Sequence, residues 1–318
     1  NTTTRYNWQQ NTDNRANDWY FQSLPYSSST PGEMVDTFIT NSRQAQAIPM
    51  VTIPIAGWVA KLGANRSRLS SFSIAKYGPQ KGNDWQWFPD AGNGVKTDGS
   101  FVTGNDPNDA NVAVDATFNQ GWIQHLVTRW GLAAAGGVRY YLLDNEPGIW
   151  HSTHRDIHPI GASMDELRDK IVSYASMIKS VDPGAVVIGP EDWSWYACLL
   201  GGYDTDYSNR NGVYDFNLLP DRKAHGGQDF YPWLLSQMKQ QETSTGKRLL
   251  DVLSVHYYPQ GGESSSDTST AIQLLRNRST RSLWDPNYTD ESWLQYLPKN
   301  KIQLIPALKS WINTYYPG

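Results

Sequence analysis

Cysteine and charged residues are scarce in this sequence of 318 residues. The single cysteine, Cys198, cannot form an internal disulfide, and there is no cysteine cluster that would bind a metal. Only 18% of the residues are charged, and the net charge of −4 gives no basic surface for a nucleic acid. No apolar run approaches the roughly 20 residues of a membrane-spanning helix. The sequence therefore indicates a globular protein that binds neither nucleic acid nor membranes.

Tryptophan, by contrast, is abundant, with 14 residues. Several tryptophans lie in polar surroundings, as in the segment 84–89 with its sequence Asp-Trp-Gln-Trp-Phe-Pro. Flat rings beside polar groups suit the apolar faces and hydroxyl rims of sugar rings. Four others lie in helix-like stretches and are predicted to be core residues: Trp122, Trp130, Trp233 and Trp311. The remaining aromatic excess indicates a carbohydrate-binding surface.

Strand-like and helix-like segments alternate along the chain. Short apolar runs predict buried strands at residues 48–55, 138–143, 185–189 and 250–257. Periodic apolar residues predict helices at 118–135, 163–179, 231–241 and 302–315, the second opened by the capping box Ser163-Met-Asp-Glu166. This alternation predicts an α/β fold with a parallel sheet, in which the long loops after the strands build the functional site.

No linker or internal repeat divides the chain, so residues 1–318 are predicted to form one domain without a second domain. The first residues read as a loop that leaves a strand, and the last predicted helix is followed directly by Pro317-Gly318. We therefore expect this domain to be incomplete at both ends.

The sharpest local motif is Asp144-Asn-Glu-Pro147, which directly follows the predicted strand 138–143. Glu146 is thereby placed at the carboxyl end of a buried strand. Burial beside aromatic residues disfavours the charged form of a carboxyl group, as a general acid at neutral pH requires. Asn145 can donate a hydrogen bond to a sugar 2-hydroxyl, a contact that strengthens in the transition state. The alternative is a structural carboxylate that caps the next turn, a role that suits Asp144 better.

Two longer motifs carry a family resemblance. The run Asp144-Asn-Glu-Pro-Gly-Ile-Trp-His-Ser-Thr-His-Arg-Asp-Ile-His-Pro159 and the opening Asn1-Thr-Thr-Thr-Arg-Tyr-Asn-Trp8 resemble glycoside hydrolase family 44. That family contains endo-β-1,4-glucanases and xyloglucanases. The resemblance implies a (β/α)8 TIM-barrel fold in which the four predicted strands are the third to the sixth. It also implies that Glu146 is the acid/base of a retaining mechanism.

The sequence departs from the family pattern at the nucleophile. The resemblance implies a glutamate in a Thr-Glu-Tyr segment on the seventh strand, and residues 1–318 contain no Thr-Glu-Tyr. Glu191 and Asp192, at the end of the predicted strand 185–189, are expected neighbours of the site, and neither is assigned as the nucleophile. We therefore expect the barrel to be completed by a longer chain or by a second polypeptide.

Further candidates are sugar-binding residues and metal ligands. Trp58 and Trp193 follow predicted strands, and His256 and Tyr257 lie at the end of the predicted strand 250–257. All four are expected to stack on sugars or hydrogen-bond to them, with packing at the barrel rim as the alternative. The family resemblance implies a structural Ca2+ near Asp106 and Asp109. The alternative interpretation of these residues is a plain Asx turn. An H-x2-H-x3-H pattern is formed by His151, His154 and His158, with Asp156 nearby. A zinc site is one interpretation of this pattern, but hydrogen bonding within an ordered loop is favoured. No cofactor is expected for catalysis.

Two functional hypotheses follow. The first is an extracellular, retaining, endo-acting glycoside hydrolase that cleaves β-1,4-glucan backbones such as cellulose, carboxymethyl-cellulose and xyloglucan. The alternative is a non-catalytic β-glucan-binding fragment, which keeps the aromatic surface and lacks the nucleophile. A second carboxyl group about 5–5.5 Å from Glu146 distinguishes the two.

Overall fold

The computed structural model describes residues 5–318 and contains eleven β-strands and eleven α-helices in that range. Residues 1–4, the start of the opening motif, lie outside the described residues. The strands are β1 (Thr12–Asn14), β2 (Gln22–Pro25), β3 (Met50–Ile53), β4 (Trp58–Ala60), β5 (Leu69–Ser70), β6 (Asn83–Asp84), β7 (Phe88–Gly92), β8 (Asn111–Ala113), β9 (Tyr140–Leu143), β10 (Val186–Asp192) and β11 (Val252–Val255). The helices are α1 (Glu33–Gln44), α2 (Ile74–Tyr77), α3 (Ala116–Trp130), α4 (Trp150–Thr153), α5 (Met164–Val181), α6 (Trp195–Leu199), α7 (Gly202–Asn211), α8 (Pro220–Ala224), α9 (Phe230–Thr245), α10 (Thr270–Ser279) and α11 (Leu304–Tyr315).

A four-stranded sheet in the order β11-β10-β9-β3 forms the centre of the molecule, and all of its strand pairs are parallel. These four strands are the four predicted from the sequence, so the α/β fold is confirmed. Their residues are apolar on both faces because helices cover a parallel sheet; Tyr141, Leu143 and Val187 are all fully buried. A closed (β/α)8 barrel is not confirmed, since the sheet is open within the described part of the chain.

Helices α3, α5 and α9 pack side by side next to this sheet. Helix α5 begins where the capping box predicts, because the Oγ of Ser163 accepts a hydrogen bond from the backbone N–H of Glu166 at 3.1 Å. Its apolar stripe is buried, with Leu167 and Ile171 at most 1% exposed. The four predicted helices correspond to α3, α5, α9 and α11, with ends that differ by at most five residues.

Small antiparallel sheets lie beside the parallel sheet. One has the order β1-β2-β5, and the pairs β4-β8 and β6-β7 form two more. A buried polar network connects these segments to the loop that follows β9. In it, Arg5 donates hydrogen bonds to Asp156 (2.6 Å) and Asn111 (3.0 Å), and the hydroxyl of Ser71 donates to Asp156 (2.5 Å). Arg5 and Asp156 are both fully buried at their side chains.

Candidate active site

The C-terminal edge of the parallel sheet carries polar side chains from three neighbouring strands. Asp144 and Glu146 follow β9, Glu191 and Asp192 close β10, and His256 directly follows β11. Because parallel strands end at the same edge of a sheet, these residues lie close together. Ligands bind at this edge in parallel α/β folds.

Asp144 joins the ends of β3 and β9. One of its carboxylate oxygens accepts hydrogen bonds from the backbone N–H groups of Ile55 (2.7 Å) and Ala56 (3.1 Å), and the other accepts from Asn145 (2.8 Å). Burial raises the pKa of Asp144 to about 6, although these three N–H donors oppose the rise. Asp144 thus has a structural role, but it holds the end of β3 rather than capping the next turn. It fixes the backbone from which Glu146 projects.

Glu146 has the geometry of a reactive carboxyl group. Its side chain is 19% exposed, and its Oε1 lies 2.8 Å from Nδ1 of His256. Its backbone N–H donates to the carbonyl oxygen of Glu191 at 2.9 Å, which ties the end of β9 to that of β10. The backbone of Glu146 is left-handed, with φ 47° and ψ 54°. Non-glycine residues in this conformation are strained and occur preferentially at functional sites.

His256 bridges two carboxyl groups. Its Nδ1 faces Glu146 and its Nε2 lies 3.1 Å from Oε2 of Glu191. A neutral imidazole has only one N–H, so both contacts require either an imidazolium between two carboxylates or one protonated carboxyl group. In either state the three side chains share two protons. Burial raises the pKa of Glu191, and the neighbouring His256 opposes that rise.

Asp192 is fully buried beneath this cluster and positions the chain around it. Its Oδ1 accepts hydrogen bonds from the backbone N–H groups of Trp193 (2.9 Å) and Gly148 (3.1 Å), while its backbone oxygen accepts from His256 at 2.7 Å. Its Oδ2 has no hydrogen-bond partner within residues 5–318. Burial raises the pKa of Asp192 to about 7. Asp192 thereby sets the direction in which Trp193 leaves the sheet.

The predicted sugar-binding aromatics occupy different surroundings. Trp193 is half-buried and lines a pocket at this edge of the sheet. Trp58 lies in β4, which pairs with β8, and it packs against the main hydrophobic core. The hydroxyl of Tyr257 donates to Asp290 at 3.3 Å, so it is used within the fold. The ring of the exposed Tyr258 lies 6.1 Å from that of His256.

The predicted calcium ligands do not form a cation site. Oδ1 of Asp109 lies 2.6 Å from the ammonium of Lys76, and its Oδ2 accepts a 2.5 Å hydrogen bond from Tyr77. Asp106 accepts from the backbone N–H of Asn108 at 2.9 Å, which is the Asx turn given as the alternative. Within residues 5–318, no group of three or more His, Cys, Asp or Glu side chains is arranged to hold a metal ion. The donor set at Asp106 and Asp109 therefore does not fit calcium.

The histidine-rich loop is likewise held by hydrogen bonds. Nε2 of His158 lies 2.9 Å from Oε1 of Glu166, and Asp156 is paired with Arg5. His154 is buried, which moves its pKa well below the usual value. These contacts agree with the interpretation of an ordered loop rather than a zinc site.

Glu191 is the residue whose role the sequence does not reveal. It was expected near the site because it lies at the end of a predicted strand, but nothing in its local sequence indicates a histidine partner. The contact with His256 joins residues of two different strands, β10 and β11, and becomes visible only when the register of these strands is known.

The structure thus defines an α/β protein with a cluster of carboxyl groups around a histidine at the C-terminal edge of its parallel sheet. The sequence model of glycoside hydrolase family 44 matches residues 12–261, and the chain therefore belongs to this family.

Named proteins are similar to this chain over its whole length. The beta-mannanase/endoglucanase A of Caldicellulosiruptor saccharolyticus is 32% identical over 349 residues, and the endoglucanase A of Paenibacillus lautus is 32% identical over 339 residues. The crystal structure of CelM2, a bifunctional glucanase-xylanase from a metagenome library, is 63% identical with a TM-score of 0.96. A Paenibacillus polymyxa xyloglucanase solved with xyloglucan is 28% identical, with a TM-score of 0.73.

This chain is shorter than the proteins it matches. The comparisons cover 100% of this chain but 24% and 44% of the two curated relatives, and 60% of each of these two solved chains.

Proposed function

We propose that this protein is a retaining, endo-acting glycoside hydrolase that cleaves β-1,4-glucan backbones, with Glu146 as the general acid/base. The observation that carries the proposal is the position of Glu146 at the end of β9, partly open to solvent and hydrogen-bonded to His256. Family membership and the endoglucanase and xyloglucanase names of the relatives support the substrate class. The proposed substrates are cellulose, carboxymethyl-cellulose and xyloglucan.

Glu146 acts twice in the proposed reaction. In the first step it donates its proton to the glycosidic oxygen while a carboxylate attacks the anomeric carbon, so that the bond to the leaving chain breaks and a glycosyl ester forms. In the second step Glu146 removes a proton from the water that attacks the same carbon, which cleaves the ester and restores both carboxyl groups. His256 holds the carboxyl group of Glu146, and Asn145 donates a hydrogen bond to the 2-hydroxyl of the sugar.

The proposed nucleophile is a carboxylate from outside positions 1–318, because the family's Thr-Glu-Tyr segment does not occur in this sequence. Glu191 is not assigned this role, since it occupies the opposite edge of the imidazole of His256 from Glu146. The (β/α)8 barrel belongs to the same proposal, with β3, β9, β10 and β11 as its third to sixth strands. A longer chain or a second polypeptide completes it.

The proposal also places the protein outside the cell, since a polymeric glucan does not cross a membrane. Among the described residues, no helix combines the length and the apolar character needed to span a bilayer.

Replacement of Glu146 by glutamine tests the central assignment. A glutamine cannot donate the proton. In a protein that also contains the proposed nucleophile, Glu146→Gln is therefore expected to lower kcat on carboxymethyl-cellulose by about 10²–10⁴-fold. The basic limb of the pH–rate profile is expected to disappear as well. Glu242→Gln, which changes a carboxyl group in an ion pair on α9, serves as the matched control and is expected to keep wild-type activity.

Full activity of Glu146→Gln on a substrate with a poor leaving group would contradict the assignment. A wild-type protein that binds β-glucan oligosaccharides without hydrolysing them would support the alternative of a non-catalytic binding fragment.

A further inference from the structure

We propose that Glu191 is a positioning residue, which orients the imidazole of His256 and, through it, the carboxyl group of Glu146. The inference rests on the proposed function, because it takes Glu146 as the acid/base. It gives Glu191 a role apart from that of the nucleophile, since its side chain contacts His256 and acts on Glu146 through that ring.

The backbone of Glu191 departs from a regular strand in two ways. In the pairing of β10 with β11, Pro190 lies opposite Ser254 and Asp192 lies opposite Val255, so Glu191 is the extra residue of a β-bulge. Its φ of 57° lies in the left-handed region, which is unfavourable for a residue with a side chain. Bulges re-aim side chains beside active sites, and a strained backbone persists where the surrounding structure holds it. Both features point to a function for the direction in which the Glu191 side chain leaves the strand.

Hydrogen bonds fix this backbone to the ends of the two neighbouring strands. The N–H of Glu191 donates to Oγ of Ser254 on β11 at 3.2 Å, and its carbonyl oxygen accepts from the N–H of Glu146 at 2.9 Å. His256 directly follows β11, and its own N–H donates to the carbonyl oxygen of Asp192 at 2.7 Å. Glu191 therefore has a fixed position relative to both Glu146 and His256.

The side chains complete this arrangement. Oε2 of Glu191 lies 3.1 Å from Nε2 of His256, and Nδ1 of the same ring lies 2.8 Å from Oε1 of Glu146. A ring held at one nitrogen can still turn about its bond to Cβ, whereas contacts at both nitrogens fix its orientation. Functional groups keep their working geometry when a second layer of contacts holds the residues that touch them. Glu191 supplies this second layer for the contact between His256 and Glu146.

A purely structural role for the Glu191 side chain is the competing interpretation. The backbone of Glu191 already supplies the hydrogen bonds to Ser254 and Glu146, and these do not need the side chain. Among the described residues, His256 is the ion-pair partner of the Glu191 carboxylate. Loss of the carboxylate is therefore expected to leave the strands paired and to release the ring.

The test uses Glu191→Ala, which removes the contact with His256, and Glu191→Gln, whose amide oxygen still accepts a hydrogen bond from Nε2. Glu166→Ala is the matched control, because it removes a carboxylate that lies 2.9 Å from Nε2 of another histidine, His158. ¹⁵N NMR of the ring nitrogens follows His256 directly, and His256→Phe identifies its signals. Steady-state kinetics on carboxymethyl-cellulose, in a protein that also contains the proposed nucleophile, give kcat and KM separately.

In Glu191→Ala, the ring signals of His256 are expected to shift. We also expect kcat to fall about 10–100-fold with KM nearly unchanged, because the orientation of Glu146 acts in the transition state. Glu191→Gln is expected to recover part of the loss in kcat, and it decides the question if Glu191→Ala does not fold. The control is expected to keep the wild-type kcat and the wild-type signals of His256.

The outcomes separate this inference from the proposed function. Wild-type kcat and ring signals in Glu191→Ala would overturn the positioning role and leave the assignment of Glu146 intact. A rise in KM with unchanged signals of His256 would overturn it as well, because Glu191 would then act on the substrate itself. Shifted signals of His256 in Glu191→Ala, in a protein whose Glu146→Gln variant stays fully active, would uphold the orientation of His256 by Glu191 and reject Glu146 as the acid/base.

Discussion

His256 lies between Glu146 and Glu191, 2.8 and 3.1 Å from their nearest oxygens. The protons on these three side chains are therefore shared, and removal of the imidazole affects both carboxyl groups. His256 makes contact with the proposed acid/base rather than with the bond being broken. We therefore assign it a positioning role, in which it orients the carboxyl group of Glu146.

Replacement of His256 by phenylalanine keeps a ring and removes both hydrogen bonds. Because His256 opposes the burial effect on Glu191, His256→Phe is expected to raise the pKa of Glu191 further, which a carboxyl ¹³C NMR titration measures. We also expect kcat to fall at least tenfold and the pH–rate profile to change shape. His256→Gln retains one donor and is expected to recover part of the loss. An unchanged pH profile in His256→Phe would refute the positioning role.

At the scale of single residues, the sequence predicted what depends on strand position. The structure brings Glu146 and His256, both named because they lie at the ends of predicted strands, into contact. The sequence could not predict which of Tyr257 and Tyr258 lies beside His256, because the alternation of side chains ends with β11 at Val255. Composition also does not reveal that Lys76 pairs with Asp109, one of the two residues for which calcium binding was predicted.

Between elements, the buried pair of Arg5 and Asp156 connects the start of the chain to the loop after β9. Asp156 also accepts hydrogen bonds from Ser71 and Asn111, so its carboxylate serves three partners. A buried charge that loses its partner is strongly unfavourable because it keeps its desolvation penalty.

Asp156→Ala is therefore expected to lower the free energy of unfolding by about 3–5 kcal/mol, since the guanidinium of Arg5 would stay buried without a counter-charge. Urea denaturation measures this loss. Glu242→Ala, which breaks a more exposed ion pair with Lys239, is expected to cost less than about 1 kcal/mol. Equal losses in the two variants would show that the buried network does not hold these elements together.

The sequence missed three helices, α1, α7 and α10, and several short strands. Strands β4, β5, β6 and β8 have two or three residues each, too few for an alternating pattern to be recognised, and they lie in a segment that was interpreted as a loop. Their pairing is set by contacts between distant residues, such as Trp58 opposite Ala113. The longer central strands and their covering helices could be predicted because each carries its own apolar pattern.

The molecule as a whole contains buried carboxyl groups whose pKa values burial raises, to about 7 for Asp13 and Asp192 and about 6 for Asp144. An unfolded aspartate titrates near 3.9, so between about pH 4 and pH 7 the folded protein keeps protons that the unfolded chain releases. Each such group therefore lowers the stability as the pH rises through this window. Buried His154 acts in the opposite direction, because its pKa is lowered.

A comparison with Asp192→Asn isolates one of these contributions. Asparagine does not ionise, so the variant is expected to gain stability relative to the wild type as the pH rises from about 4 to 7. The gain is at most about 1.4 kcal/mol per pH unit. Urea unfolding of both proteins at pH 4.5 and 7.5 measures it. A stability difference that is the same at both pH values would contradict the raised pKa of Asp192.

The fold class could be predicted from the sequence because alternating strand and helix patterns leave few architectures. A closed barrel could not be predicted from these patterns, because closure depends on strand tilt and stagger. These are properties of the whole sheet and not of any one segment. The four central strands occur in the order expected for neighbours in such a barrel, and the described residues leave the sheet open.

The contact between Glu146 and His256 joins residues 110 positions apart. Loop-closure entropy makes contacts of this range slow to form during folding, and here they require the parallel pairing of β9, β10 and β11. The carboxyl cluster is therefore absent from any intermediate in which only local helices have formed. Re-formation of the contacts between Glu146, His256 and Glu191 during refolding therefore indicates that the sheet is complete. Early folding intermediates lack this arrangement of carboxyl groups.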